Sequence, residues 1–314
     1  MKMEEKNIFY RKFEDIPVST KTFIIATNIT VDIEKLFDFL PITNYVLIPK
    51  KRGRKKKVLF SDPNRNIKSG SIITLELKNK IRGVSLKKKK KESVGIDYFR
   101  NSITIVMIND DKRINFKISK NGKFQMTGCK YDRQAEDCVK IIWNLIKYNP
   151  SLYTKKENEP FQALFIPAMR NIDFNLGFVV DREKLDDYFN GNTEYSSLFE
   201  TSIGYTGVNI KIPVISKMTC LKLKKLIFPE EIIENNQNQD WKKTEYVPYE
   251  NYLSTLDLKE QKKKMNKERN TTFLVFQSGK TICSAMCEEF AKEAYDRFID
   301  IIKTNISTFT EKQN

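Results

Sequence analysis

The sequence predicts an α+β protein: hairpin-linked strands in an antiparallel sheet with helices on one face. Three observations carry this. Two different motifs each occur twice in the same order, one of them is a strand–turn–strand signature, and a long amphipathic helix pattern follows each copy of that signature.

The first motif reads Ile29-Thr30-Val31-Asp32-Ile33-Glu34-Lys35-Leu36-Phe37-Asp38 and returns as Phe178-Val179-Val180-Asp181-Arg182-Glu183-Lys184-Leu185-Asp186-Asp187. In each copy an apolar run, 23–25 or 164–166 onward through 178, leads into a short amphipathic helix. The second motif is FKISKNGKFQMTGCK, from Phe116, and FLVFQSGKTICSAMC, from Phe273. Both are an apolar strand, a small-residue turn with Gly-Lys, and a second strand, which is a hairpin signature. The helix after the first hairpin, 132–148, places Ala135, Cys138, Val139, Ile142, Leu145 and Ile146 on one face. Its counterpart, 288–303, does so with Phe290, Ala291, Ala294, Tyr295, Phe298, Ile301 and Ile302. The copies lie 149 residues apart for the first motif and 157 for the second, which argues for duplication.

Strands are expected at 23–27, 71–77, 101–108, 115–119 and 123–129, and again at 173–178, 195–201, 205–214, 272–276 and 280–285. The expected organisation is an N-terminal extension (1–20), a first repeat (21–149) with a basic insertion near 50–91, and a polar connector (150–160). A second repeat (161–305) with an insertion near 217–270 and a tail (306–314) complete it.

Composition narrows the function. The 314 residues include no histidine, which removes His-based triads, imidazole general bases and most catalytic zinc sites. No apolar stretch approaches ~18 residues, so no membrane span is expected. The charged N-terminus does not read as a secretory signal. Five scattered cysteines, Cys129, Cys138, Cys220, Cys283 and Cys287, suit a reducing, intracellular compartment and read as small buried apolar side chains. No metal site and no cofactor is expected. Asp110-Asp111 and Asp186-Asp187 are acidic pairs of the kind a metal-dependent nuclease uses, but the further carboxylates such chemistry needs are missing, and an enzyme is not expected.

The formal charge is +16, and nearly all the excess lies between Lys50 and Lys91, with seventeen Lys and Arg against two acids. Its extremes are Lys50, Lys51, Arg52, Arg54, Lys55, Lys56 and Lys57, and the run Lys87, Lys88, Lys89, Lys90 and Lys91. Such runs resist compaction and read as exposed loops that attract a polyanion, most often nucleic acid. A nuclear import signal or a solvated loop has the same composition.

Gly122-Lys123-Phe124-Gln125-Met126-Thr127-Gly128-Cys129-Lys130, followed by a long helix, resembles the strand–turn–strand of TATA-box-binding proteins. Phe273-Leu274-Val275-Phe276-Gln277-Ser278-Gly279-Lys280 is similar to the family's second copy, as is Tyr205-Thr206-Gly207-Val208-Asn209-Ile210-Lys211. The Asn- and Lys-rich divergence resembles versions encoded by large DNA viruses. The resemblance implies a pseudo-twofold saddle: a ten-stranded antiparallel sheet with helices on its convex side, sitting on the DNA minor groove and wedging base steps apart. Residue by residue it places wedges at Phe276 and Tyr205, groove-floor residues at Leu274, Ile282 and Ser284, a central amide at Asn171, and phosphate-contacting cations at Lys211 and Lys280. In the first repeat Ser119 falls on one wedge position, Phe99 or Arg100 on the other, Lys117 and Gln125 on apolar positions, and Thr22 on that of the Asn, whereas Thr127 and Lys123 keep the family's residue type. The implied role is an initiation factor that binds AT-rich promoter DNA and recruits a transcription factor IIB-like protein and multisubunit RNA polymerase. Its implied setting is the nucleus or, if virus-encoded, the viral factory or virion. The alternative is an interaction scaffold of the same fold with only non-specific DNA binding.

Overall fold

A computed structural model describes residues 11–47, 63–86, 101–110, 112–200, 206–215, 218, 221–229 and 243–311. Both basic runs, Phe99, Arg100, Asp111, Tyr205 and Cys220 lie outside the described residues.

The elements follow in chain order. The first part holds β1 (Val18–Thr27), β2 (Ile29–Val31), α1 (Ile33–Phe39), β3 (Ile72–Leu77), β4 (Lys80–Gly83), β5 (Ser102–Asn109), β6 (Lys112–Ser119), β7 (Phe124–Cys129) and α2 (Asp132–Ile146). Next come β8 (Tyr153–Lys155), β9 (Phe161–Asn175), α3 (Arg182–Asn192), β10 (Ser196–Leu198) and β11 (Gly207–Pro213). The chain continues with β12 (Lys222–Phe228), β13 (Lys243–Pro248), α4 (Tyr249–Ser254), α5 (Leu258–Met265), β14 (Asn270–Phe276), β15 (Lys280–Ala285), α6 (Glu288–Thr304) and α7 (Ile306–Phe309). The protein is α+β, and the strand pairings described below are antiparallel.

Two compact units form, neither contiguous in sequence. The first-half unit is Thr22–Ile166 with Lys224–Tyr246, and the second-half unit is Met1–Lys21, Pro167–Leu223 and Val247–Asn314. In the first-half unit the strands run β1, β7, β6, β5, β3, β4. The helix α2 presents Ala135, Cys138, Val139 and Ile142, all buried, to one side of this sheet, and Trp143 stacks on Phe161 with centroids 4.3 Å apart. In the second-half unit the order is β10, β11, β14, β15, β9. There α6 covers one face, and Phe298 lies flat on Phe273 at 4.2 Å. Burying rings of this size contributes about 2–3 kcal/mol each.

The repeated motifs make the same local connections in both units. Asp32 caps α1 by accepting from the Lys35 amide (3.0 Å), and Asp181 caps α3 by accepting from the Lys184 amide (3.2 Å). The Val31 amide donates to the Lys120 carbonyl and the Val180 amide to that of Gln277, both at 2.8 Å. Gly122 and Gly279 turn at φ +69° and +76°, and a Cβ there would fall 2.0 Å from the Ile29 carbonyl oxygen and 2.5 Å from that of Phe178. Both the left-handed conformation and the close approach of backbone exclude a side chain, which is why the Gly-Lys turn is legible twice.

Several expectations change. The second-repeat strand expected at 173–178 is the fifteen-residue β9, and Phe178 falls after it. Five strands were not expected: β2, β4, β8, β12 and β13. The connector holds β8, which pairs with β2, and the buried Leu152, whose carbonyl accepts from the Asp32 amide. The tail does the equivalent: Phe309 is fully buried, its carbonyl accepts from the Asp181 amide, and Thr310 bridges Val180. The segment read as an insertion is divided between the units. β12 pairs with Phe161–Phe165 of β9 and contributes Leu226 and Phe228 to the core of the first-half unit. It is tied there by the Lys224 ammonium on the Glu136 carboxylate, which is 6% exposed.

Candidate nucleic-acid interface

Strand alternation sorts the expected site residues onto faces. In β14 Thr271, Phe273 and Val275 are buried toward α6, while Thr272, Leu274 and Phe276 point the other way and are half-buried. In β15 Thr281, Cys283 and Ala285 are buried and Ile282 and Ser284 are not. In β11 Val208, Ile210 and Ile212 are buried, leaving Asn209 and Lys211 on the other side. In β9 Ile172 is buried, and Asn171, Asp173 and Asn175 share the opposite parity.

The register then assembles this second face into rows. Lys211, Thr272, Ser284 and Asn171 lie abreast across four strands. The next row is Asn209, Leu274, Ile282 and Asp173. Beyond it Gly207 pairs with Phe276, and Lys280 pairs with Asn175. Six expected residues, Asn171, Lys211, Leu274, Phe276, Ile282 and Ser284, thus meet on one sheet face that carries no helix among the described residues, with Lys280 at its turn end. Tyr205 is outside the described residues.

Four side chains of this face were not singled out in the sequence: Asn209, Thr272, Asp173 and Asn175. The signal was available, because each is two or four positions from a residue that was, and side chains at i, i+2 and i+4 of a strand share a face. Asn171 and Asn209 each keep a buried side-chain oxygen without a hydrogen-bond partner. Asp173 is exposed and accepts from the Ser19 hydroxyl at 3.3 Å.

The corresponding face of the first-half unit has different chemistry. Lys117 lies between Thr104 and Gln125, Asn115 between Val106 and Thr127, and Ser119 opposite Ser102. The Ser119 hydroxyl is engaged with Asn121 (2.5 Å) and with the Lys123 carbonyl (3.1 Å), closing the hairpin turn. Lys123 itself is half-buried in that turn. Thr22 is half-buried on β1, where Phe23 and Ile25 point into the core. On the same uncovered side, β1 adds Ile24 and Ala26, β9 adds Leu164, and β12 adds Lys225 and Ile227 beside them.

The other groups weighed in the sequence are placed elsewhere. Asp110 pairs with Arg133 at 3.2 Å, and the Asp186 carboxylate accepts from the Ser197 hydroxyl. Cys129, Cys138, Cys283 and Cys287 are buried. Burial pushes the Cys283 and Cys287 thiols up to about 12, and that of Cys138 higher still, so all three stay protonated at neutral pH. Among the described residues no helix is long and apolar enough to cross a membrane.

Comparison with known proteins matches the resemblance drawn from the hairpin motifs. No family model matches the chain. It is 28% identical over 293 residues to uncharacterized protein 335L of Invertebrate iridescent virus 6, covering 91% of this chain and 83% of that protein. It is 34% identical over 153 residues to a TATA-box-binding protein-like protein of Acanthamoeba polyphaga mimivirus, covering 41% of this chain and 40% of that one. Among solved structures it is similar to Methanococcus jannaschii TBP, with a TM-score of 0.43, 14% identity, and coverage of 92% and 98% of the two chains. Both of these sequence relatives are viral proteins.

Proposed function

We propose that the chain is a virus-encoded, TATA-box-binding-protein-like transcription initiation factor. It binds AT-rich promoter DNA by the minor groove and recruits a transcription factor IIB-like protein and RNA polymerase; it is a binding protein, not an enzyme. The observation that carries this reading is the face of the second-half unit that bears no helix among the described residues, where Leu274, Phe276, Ile282 and Ser284 of the hairpin meet the separately read Asn171 and Lys211, with Lys280 at the turn. An open face of apolar and short polar side chains suits a groove whose hydrogen-bond pattern is nearly degenerate and whose floor is reached by deforming the duplex. The basic runs Lys50–Lys57 and Lys87–Lys91 add sequence-independent phosphate contact.

The second reading, a scaffold that binds DNA without bending it, is favoured by one observation: Lys117, Gln125 and Ser119 on the first-half face offer no apolar wedge. Fluorescence measurement of bending on AT-rich duplexes at physiological salt separates the two. A kink that Phe276→Ala abolishes supports the first reading; binding without distortion supports the scaffold.

A further inference from the structure

The middle row of the second-half face ends in a charge. Asp173 sits directly across from Ile282, which is across from Leu274, so a carboxylate stands beside the apolar floor that the proposed function places on base edges. Its one described hydrogen bond, from Ser19, is long at 3.3 Å and leaves most of its acceptor capacity open. Two residues along the same strand and face, Asn171 holds a further side-chain oxygen without a partner. A groove at this end of the sheet takes in Asp173, Asn175, Phe276, Lys280 and Ile282 and continues past Phe174 and Thr281 toward Tyr295 of α6, where the Arg11 carbonyl accepts from the Tyr295 hydroxyl. The uncovered face at this end therefore combines an aromatic ring, an aliphatic floor, a cation at the turn and an acceptor-only carboxylate.

The minor-groove edge decides what such a carboxylate tolerates. A·T and T·A pairs present only acceptors there, adenine N3 and thymine O2, whereas a G·C pair adds the guanine N2 amino donor. Against an all-A·T floor the carboxylate would be desolvated facing acceptors, losing its water hydrogen bonds and gaining none. Against guanine it accepts from the amino group, while Lys280, at the turn end of the same face, is available to a backbone phosphate. We infer that Asp173 is a specificity residue, and that the site this chain recognises contains a G·C pair within its AT-rich element, at the step seated beside Phe276 and Ile282. This rests on the minor-groove reading above.

The test is fluorescence anisotropy of the full chain at fixed salt, on an A·T-only duplex and on a panel carrying one G·C pair at each position in turn. One position, or two adjacent ones, should bind about tenfold more tightly than the parent. Replacing that guanine with inosine, which lacks only the N2 amino group, should remove the gain without any change to the protein. Asp173→Leu should remove it too, and Asp173→Asn, which keeps an acceptor, should retain part of it; thermal melts confirm that the variants fold. A panel with no responsive position, or a gain that survives inosine or Asp173→Leu, overturns the inference and leaves the minor-groove reading standing. Failure to bind any duplex overturns that reading itself.

Discussion

The two units place the same motifs on sheet faces of opposite character. In the second-half unit the uncovered sides of β14 and β15 are Thr272, Leu274, Phe276, Ile282 and Ser284; on their first-half counterparts, β6 and β7, they are Asn115, Lys117, Ser119, Gln125 and Thr127, so the contrast lies at Leu274, Phe276 and Ile282 against Lys117, Ser119 and Gln125. The covered sides do not diverge in this way: Phe273 and Val275 in one unit, Phe116 and Ile118 in the other, all buried. A duplicated scaffold has kept what its helix packs against and changed what it offers outward. This is expected where the inner side is constrained by close packing and the outer side only by what it binds.

The largest effect should fall on the inner sides. Phe273→Ala and Phe116→Ala should each cost about 3–5 kcal/mol in urea denaturation, because each empties a fully buried position. Phe276→Ala, one ring away on the same strand but half-buried, should cost about 1 kcal/mol or less. If Phe276→Ala proves as costly as Phe273→Ala, the face is core and the contrast fails.

Next is Lys224→Ala. It removes the ammonium bonded to the buried Glu136 carboxylate and should cost about 2 kcal/mol, less than a fully buried pair would because Lys224 is itself partly exposed. The loss should be confined to the first-half unit, as hydrogen exchange in α2 and β12 would report, with α6 unchanged.

Smaller again is Ser119→Phe, which gives the first-half face the ring it lacks. Losing the Ser119 hydrogen bonds to the turn should cost about 1 kcal/mol, while binding to AT-rich DNA strengthens. Chemical probing of the wild-type complex should find distortion concentrated at one end of the site, and Ser119→Phe should reduce that asymmetry.

Smallest is an acid effect common to both units. The Lys35 amide bond holds Asp32 below the usual carboxylate value, and the hydrogen bond from the Lys184 side chain does the same for Asp181. Each carboxylate is held lower when folded than when unfolded. Its contribution is complete above the unfolded value near 3.8 and is lost as pH falls through the lowered one. Asp32→Asn and Asp181→Asn should each flatten the stability profile slightly below about pH 4, since both are partly exposed caps.

What was legible in the sequence follows the same inner–outer division. The Gly-Lys turns, the aspartate caps and the helical stripes Ala135–Ile142 and Phe290–Phe298 are short-range signals with one physical cause each. β12 was not legible because Lys222, Lys224 and Lys225 interrupt its apolar pattern, and its partner Phe161–Phe165 is about sixty residues away. β2 and β8 are three residues each, too short to show an alternation. At the site, a single fixed position, Asn171, implied Asp173 by strand parity alone. A charge is simply not what one looks for on a face expected to be apolar.

The placement of β12 also bears on how the chain is made. A ribosome that has released residues up to 166 has delivered every element of the first-half unit except β12, which carries Leu226, Phe228 and the lysine that neutralises Glu136, and the start of β13, which pairs with it. At ordinary translation rates of about 5–20 residues per second, several seconds separate that moment from the arrival of Lys224–Tyr246. Through that interval Phe161 and Ala163 lack the strand that pairs with them, so the nascent first-half unit waits, incomplete, for a piece encoded well into the second half of the message.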